Sequence, residues 1–559
     1  MGIQLKTVLI SDEIDEICID ILRKNDIEVV KNTNLTKEEL LQEIVKYDGL
    51  IVRSATKVTA EVINAGKNLK IIGRAGTGVD NIDTEAATKK GIIVMNTPGG
   101  NTLSAAEHTC TLIIALTRNL GEACKSMKEG KWDRKKFMGT ELYGKTLAII
   151  GLGRIGKEVA LRMQSFGMTT VGFDPIIGAQ ESATFNTEWL PLEKIWPIAD
   201  YITVHTPLIP QTKNLINDAV FAKCKKGVRV VNCARGGIID EEALLRALDS
   251  GRCGGAGLDV FIEEPPKDYT LAKHVNVIAT PHLGASTIEA QTRVAEEIAQ
   301  QFVDLAQGRS LFGAVNAATL THALSSGSQP WVKLAERIGS LGSLLTKTMS
   351  VNNVEVLMYG EFLEKAGAFL LSSVLVGYLN TSAVDNGDIL PSNLNIINAP
   401  VYGKQAGLRT EAGEQVHINM ISAAGYAKQA GIVTTSTYKG HNGADGLKVK
   451  VEFQSAAGEV LEICGTVRGD ESLLLSVQGN AFKVPAYLGG DSIVYRIDKP
   501  VSLAEIFEAA EKDEVEVAAI SASEIKNGQG FGIINLGSPV KNNIEHLEKK
   551  LNDVYLCTL

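Results

Sequence analysis

Residues Lys145 to Asp174 read KTLAIIGLGRIGKEVALRMQSFGMTTVGFD. Leu147 to Ile150 form an apolar run of strand length, too brief for a helix. Gly151-x-Gly153-x-x-Gly156 follows at once and leads into the helical spacing of Val159, Met163 and Phe166, after which a second apolar run ends on Asp174. Each glycine in this spacing has a physical cause. Gly151 permits a tight turn, Gly153 lets a pyrophosphate reach bare backbone, and Gly156 allows helix and sheet to pack closely, while the helix N-terminus offers free N–H groups and a positive dipole. Asp174 stands where a carboxylate accepts hydrogen bonds from the adenosine ribose hydroxyls and would repel a 2'-phosphate, so the expected cofactor is NAD rather than NADP. A glycine turn alone would be an ordinary strand-to-helix connection; here the strand, the helix and the distal acid are all in register.

The chain of 559 residues is too long for a single core, and its length suggests roughly three or four domains. With 45% hydrophobic and 22% charged residues it has the composition of a soluble globular protein. The net charge of -9 argues against nucleic-acid and anionic-membrane partners, so an anionic substrate needs a local arginine cluster. The eight cysteines are scattered without metal-binding spacing, which suits reduced thiols in the cytoplasm and predicts no metal site. MGIQLKTVLISDE lacks the features of a secretion signal, and the longest nearly apolar run, Ala368 to Leu379, is too short to span a membrane.

From Thr7 to Gly99 short strands alternate with helical patterns, including Glu13 to Lys24, Thr36 to Lys46 and Thr59 to Ala65, which predicts an α/β unit with parallel strands. After the glycine motif the alternation resumes through YITVHTP, VRVVNCARGG, GGAGLDVF and VNVIATPHLGAS. Ligands of such sheets lie at the carboxyl ends of the strands. The residues found there are Asp174, His205, Thr206, Cys233 to Arg235, Asp259, Glu264 and His282.

Hydride transfer from a secondary alcohol needs a base for the hydroxyl proton and a cation for the substrate carboxylate and the developing carbonyl. His282 and Arg235 fit these roles, and a carboxylate at Glu264 would orient the imidazole. On spacing alone Glu264 is equally a solvated loop acid before Pro265. Arg235 precedes Gly236-Gly237, where bare backbone can approach a ligand. Arg53 and Arg74 each end a buried strand and Arg134 lies in the basic loop Lys131 to Lys136; together they suit a phosphate, although each could be an ordinary solvated cation.

GLGRIG with Asp174, NCARGGIIDEEAL, LDVFIEEPP and TPHLGAST resemble the signatures of the D-isomer-specific 2-hydroxyacid dehydrogenases, and the resemblance is dense from residue 4 to about 310. It implies a discontinuous substrate-binding domain of residues 1–97 and 285–310 around an NAD-binding Rossmann domain, 98–284. Residues 315–455, with helices expected over Pro330 to Leu345 and Ala366 to Leu379 and the stretch LNIINAPVYGKQAGL, resemble the intervening domain of longer members. The βαββαβ order of 485–559 is that of a ferredoxin-like fold and resembles an ACT effector domain. The expected class is thus α/β: two Rossmann-like or flavodoxin-like domains, an α/β intervening domain and an ACT-like C-terminal domain. ACT domains usually turn on Pro-Gly after the first strand; here Pro500 is followed by Val501, which resists that geometry and predicts a weak response to a small amino-acid effector.

The resemblance implies catalytic roles for Arg235, Glu264 and His282. It places Thr77, Gly151, Gly153, Arg154, Ile155, Gly156, Asp174, Thr206, Cys233, Ala234, Asp259, Gly284 and Ala285 against NAD. Arg53, Ser54, Arg74 and Asn101 would contact substrate, with Arg134 reaching over from a neighbouring subunit of a homo-oligomer, a dimer or a tetramer. The implied activity is NAD-dependent oxidation of a phosphorylated 2-hydroxy acid. A glyoxylate or hydroxypyruvate reductase, or an NAD-sensing corepressor without turnover, would share the same Arg, Glu and His positions.

Overall fold

The computed structural model describes residues 4–325, 327–381, 418–440, 446–499, 501–540 and 544–559. LNIINAPVYGKQAGL and Pro500 lie outside the described residues. The chain divides into two compact units, one of residues 1–75, 79–96 and 298–559, the other of 76–78 and 97–297.

The first unit opens with β1 (Thr7–Ile10), β2 (Glu28–Lys31), β3 (Gly49–Val52), β4 (Ile71–Arg74) and β5 (Ile93–Asn96), all parallel, in the order β2-β1-β3-β4-β5. Gly49 to Val52 are all buried, which explains why the strand reads as a continuous run rather than an alternation. The helix expected from Glu13 begins only at Ile17, because Asp15 takes the Ile17 N–H and Glu13 and Glu16 turn aside to pair with Lys31. Phe302, fully buried near the end of the helix Ile288–Ala306, lies on Gly49 and Gly73, where any side chain would meet its ring. Arg53 follows β3 and Arg74 ends β4, so both stand at carboxyl ends of this sheet.

The second unit is built on β6 (Thr146–Ile150), β7 (Thr169–Phe173), β8 (Glu188–Trp189), β9 (Tyr201–Val204), β10 (Val228–Asn232), β11 (Cys253–Leu258) and β12 (Val277–Ala279). Their order is β12-β11-β10-β9-β6-β7-β8, all parallel. The strand order reverses between β6 and β9, the position where dinucleotides bind in doubly wound sheets. Helix Thr102–Thr117 packs on this sheet through Leu112, Ile113 and Leu116.

The remainder of the first unit carries two more sheets. β13 (Val351–Tyr359), β14 (Val433–Tyr438), β15 (Lys448–Ser455), β16 (Val460–Arg468), β17 (Glu471–Val477) and β18 (Asn480–Tyr487) pair in the order β14-β13-β15-β16-β17-β18. The sheet runs past the expected end at 455 because β15 to β18 form an antiparallel meander. Helices Gln329–Leu345 and Gly367–Thr381 pack against each other with Gly339 over the Val374 carbonyl and Gly377 over the Glu336 carbonyl. β19 (Asp491–Ile497), β20 (Val517–Ala522), β21 (Gly530–Leu536) and β22 (Asn552–Thr558) form an antiparallel sheet in the ferredoxin-like order β20-β21-β19-β22. Val501 packs against the core beneath it. Among the described residues no helix is long and apolar enough to cross a membrane.

Phe302→Ala should destabilise the first unit by roughly 3–5 kcal/mol, the cost of a large core cavity. Urea unfolding followed by tryptophan fluorescence measures it, and a loss below about 1 kcal/mol would show that the surrounding chain collapses into the space.

Candidate active site

At the reversal point Gly151 has φ +99°, and a side chain there would overlap the His205 carbonyl. A side chain at Gly156 would overlap the Gly151 carbonyl, whereas the Cβ position of Gly153 has open space around it. The helix Arg154–Gln164 starts from Gly153 without a side-chain cap, leaving its first amides for a ligand. Beside this loop the Thr206 hydroxyl is buried and has no partner among the described residues. Asp174 accepts N–H groups from Leu152 at 2.8 Å, Ile176 at 2.7 Å and Ile177 at 3.0 Å, so it also fixes the glycine loop to the end of β7. The cradle, bare backbone at Gly153 and uncapped helix amides beside it, fits the phosphates of a dinucleotide.

His205, a candidate from its strand-end position, departs from that expectation. Burial pushes its pKa down to about 4, so it is neutral, and its Nε2 pairs with the Thr203 hydroxyl at 3.0 Å. Its backbone carbonyl lies against Gly151. Burial likewise pushes the Cys233 thiol up to about 12, which removes any nucleophilic role.

His282 and Glu264 meet at the surface: Nδ1 lies 2.7 Å from Oε2, with both side chains exposed. Burial would raise the Glu264 pKa, but the hydrogen bonds from His282 and the Phe261 N–H, with the charges of His282 and Arg235, hold it below the usual carboxylate range. The acid is therefore ionised throughout the neutral range. Arg235 follows β10, where Asn232 braces the turn by accepting the Ala234 N–H at 3.0 Å and donating to the Arg235 carbonyl at 2.8 Å. Gly236 is also required by the protein itself, because a side chain there would overlap its neighbours. Its Cα abuts the backbone of Phe261 and Ile262, and this contact sets the Arg235 turn against the segment that carries Glu264.

Asp259, at the end of β11, is 1% exposed and takes the Thr280 hydroxyl at 2.6 Å and the N–H groups of Leu283 and Gly284 at 2.7 Å each. Gln291 holds the Ala285 carbonyl at 3.1 Å. Thr77 donates to Asn101 at 2.6 Å. Arg134 is exposed.

Arg53, Ser54 and Arg74 belong to the first unit. The Arg53 loop is clamped by Asp12, which accepts the N–H of Arg53 at 2.6 Å and the hydroxyl of Thr56 at 2.5 Å, and by Asn81, which donates to the Arg53 carbonyl at 2.7 Å. Burial lowers the Arg53 pKa against the opposing charge of Asp12, and its buried Nε has no partner among the described residues. A cation so placed has a donor left over for an anion.

The family model "D-isomer specific 2-hydroxyacid dehydrogenase, NAD binding domain" matches residues 110–284. D-3-phosphoglycerate dehydrogenase of Rattus norvegicus is 48% identical over 538 residues, covering 96% of this chain and 95% of that protein. The chain belongs to the D-3-phosphoglycerate dehydrogenase family. Its bacterial members include the enzyme of Bacillus subtilis (strain 168), 44% identical over 402 residues, which cover 72% of this chain and 74% of that one. Among solved structures, a glyoxylate reductase from Paecilomyes thermophila aligns with TM-score 0.52 at 27% identity, covering 56% of this chain and 99% of that one. NAD is the cofactor of this family of dehydrogenases, as the glycine cradle and Asp174 had indicated.

Asp174→Ala should narrow the preference for NAD over NADP in kcat/KM by about tenfold or more, a change of ~1.4 kcal/mol. Steady-state kinetics with both cofactors checks this, and an unchanged ratio would remove Asp174 from cofactor selection.

Proposed function

We propose that this protein oxidises 3-phospho-D-glycerate to 3-phosphohydroxypyruvate with NAD, the first step of L-serine synthesis. The observation that carries the reading is the His282–Glu264 contact at 2.7 Å through Nδ1, which leaves Nε2 of the ring to face a substrate hydroxyl. Arg235 holds the substrate carboxylate through its planar fork and polarises the oxygen that becomes the carbonyl. His282 takes the hydroxyl proton, and ionised Glu264 steadies the ring as it becomes positive. NAD, when bound, supplies the acceptor for the hydride from the carbinol carbon. Thr77, Arg154, Ile155, Thr206, Cys233, Ala234, Asp259, Gly284 and Ala285 line its site, and the buried Thr206 hydroxyl supports that assignment. Arg53, Ser54, Arg74 and Asn101, with Arg134 of a neighbouring subunit, bind the phosphorylated substrate; the leftover Arg53 donor supports a phosphate contact.

In this reading residues 1–97 and 285–310 form the substrate-binding domain, 98–284 the NAD-binding domain, 315–455 the intervening domain and 485–559 the ACT-like domain of a cytoplasmic homo-oligomer. A glyoxylate or hydroxypyruvate reductase would not need the three arginines at 53, 74 and 134.

His282→Ala should lower kcat by about 10²- to 10⁴-fold with little change in KM for NAD, since proton transfer belongs to the transition state alone. Arg53→Ala should weaken 3-phosphoglycerate far more than D-glycerate. An unimpaired kcat in the first variant would reassign the base, and equal losses on both substrates in the second would remove the phosphate from Arg53.

A further inference from the structure

Nothing in the mechanism above uses His108. It projects from the middle of helix Thr102–Thr117, its side chain 18% exposed, and its Nε2 lies 3.0 Å from the Thr280 hydroxyl and 3.2 Å from Oδ1 of Asp259. The Thr280 hydroxyl has one proton, and it donates that proton to Asp259 at 2.6 Å. The oxygen can therefore only accept from His108, so Nε2 carries a hydrogen and donates to the Thr280–Asp259 pair. Asp259 in turn takes the backbone of the catalytic loop at successive residues. Its carbonyl accepts the His282 N–H at 2.9 Å, and its two carboxylate oxygens accept the Leu283 and Gly284 N–H groups. His282 has φ +57°, a left-handed conformation that a residue with a side chain adopts only when its surroundings enforce it.

We infer that His108 is a positioning residue for His282, acting through Thr280 and Asp259. The inference rests on the reading of His282 as proton acceptor. Oδ1 of Asp259 already accepts the Thr280 hydroxyl and the Leu283 N–H, so the nearer partner of His108 is the Thr280 oxygen at 3.0 Å, with Oδ1 behind it at 3.2 Å. By holding that oxygen, His108 fixes the direction in which the Thr280 hydroxyl donates to the buried carboxylate. The same helix is tied to the far end of the loop, where Ser104 and Thr287 hydroxyls meet at 2.7 Å. The loop is thus referenced to the helix at both ends, and a shift at His108 moves the ring of His282.

The test uses the full-length enzyme with 3-phosphoglycerate and NAD. His108→Leu lowers kcat by roughly tenfold to a hundredfold, the scale of a misplaced catalytic group, while KM for NAD and for substrate changes far less. His108→Gln, whose amide nitrogen falls near the Nε2 position, restores most of the loss, whereas the shorter His108→Asn does not. A His108→Leu enzyme with unchanged kcat overturns the inference, as does a His108→Gln enzyme no better than His108→Leu. Should the leucine variant fail to fold, the Gln against Asn comparison decides alone, and equal kcat in the two overturns it. His282→Ala is run beside them. If that variant keeps its turnover, the assignment of the base has failed; if it is inactive while His108→Leu is normal, only the role of His108 has.

Discussion

Asp259 follows β11 with its carboxylate buried and both oxygens bonded to the loop that follows β12. Burial pushes its pKa up, but hydrogen bonds from His108, Thr280, Leu283 and Gly284 outweigh that and hold it below the ordinary carboxylate range. The balance of magnitudes explains why the loop stays as it is. A non-glycine residue in the left-handed region costs on the order of 1–3 kcal/mol, and hydrogen bonds to a charged acceptor return roughly 1.5–3 kcal/mol each. With two amides and a hydroxyl on one carboxylate, the clamp exceeds the strain at His282. The ring then faces Glu264.

The other half of the site is assembled by contact between two backbones. Gly236 lets the turn after β10 lie on Phe261 and Ile262, and Glu264 closes the same segment by accepting the Phe261 N–H at 3.1 Å. Glu241, at the start of helix Glu241–Asp249, holds the Ile262 N–H at 2.7 Å from the opposite side. Arg235, Glu264 and His282 thus rest on three different strand ends of one rigid sheet, which is how an open parallel sheet brings distant residues to one place.

How much of this was legible in the sequence follows from how local each signal is. Asp174 and the glycine loop were readable because strand, turn and helix are consecutive, and the parallel sheets because buried strands read as unbroken apolar runs. The strand-end positions of Arg235 and His282 were readable because each lies a few residues past a strand, whereas Glu264 on spacing alone was equally a solvated loop acid. The residues that brace them were not. Asp12 reaches the Arg53 loop across 41 positions and His108 reaches Thr280 across 172, and nothing in local periodicity marks such a pair. His205 was placed in the crevice by the strand-end rule, yet its ring is desolvated, a distinction that only packing makes. Gly236 was readable as a needed glycine, but its contact with the backbone of Phe261 and Ile262 was not, because it joins two strand ends.

The central claim is that ionised Glu264 acts on His282 as the proton acceptor. The kcat for oxidation in Glu264→Gln, with KM for NAD beside it, tests it most directly. Glu264 is held below the ordinary carboxylate range, so it is charged through the neutral range and steadies the imidazole as the ring takes the hydroxyl proton in the transition state. The amide keeps its place beside the ring but carries no charge, so kcat should fall while KM for NAD changes little. A kcat equal to that of the native enzyme would contradict the account, because the base would then not be the histidine that Glu264 touches.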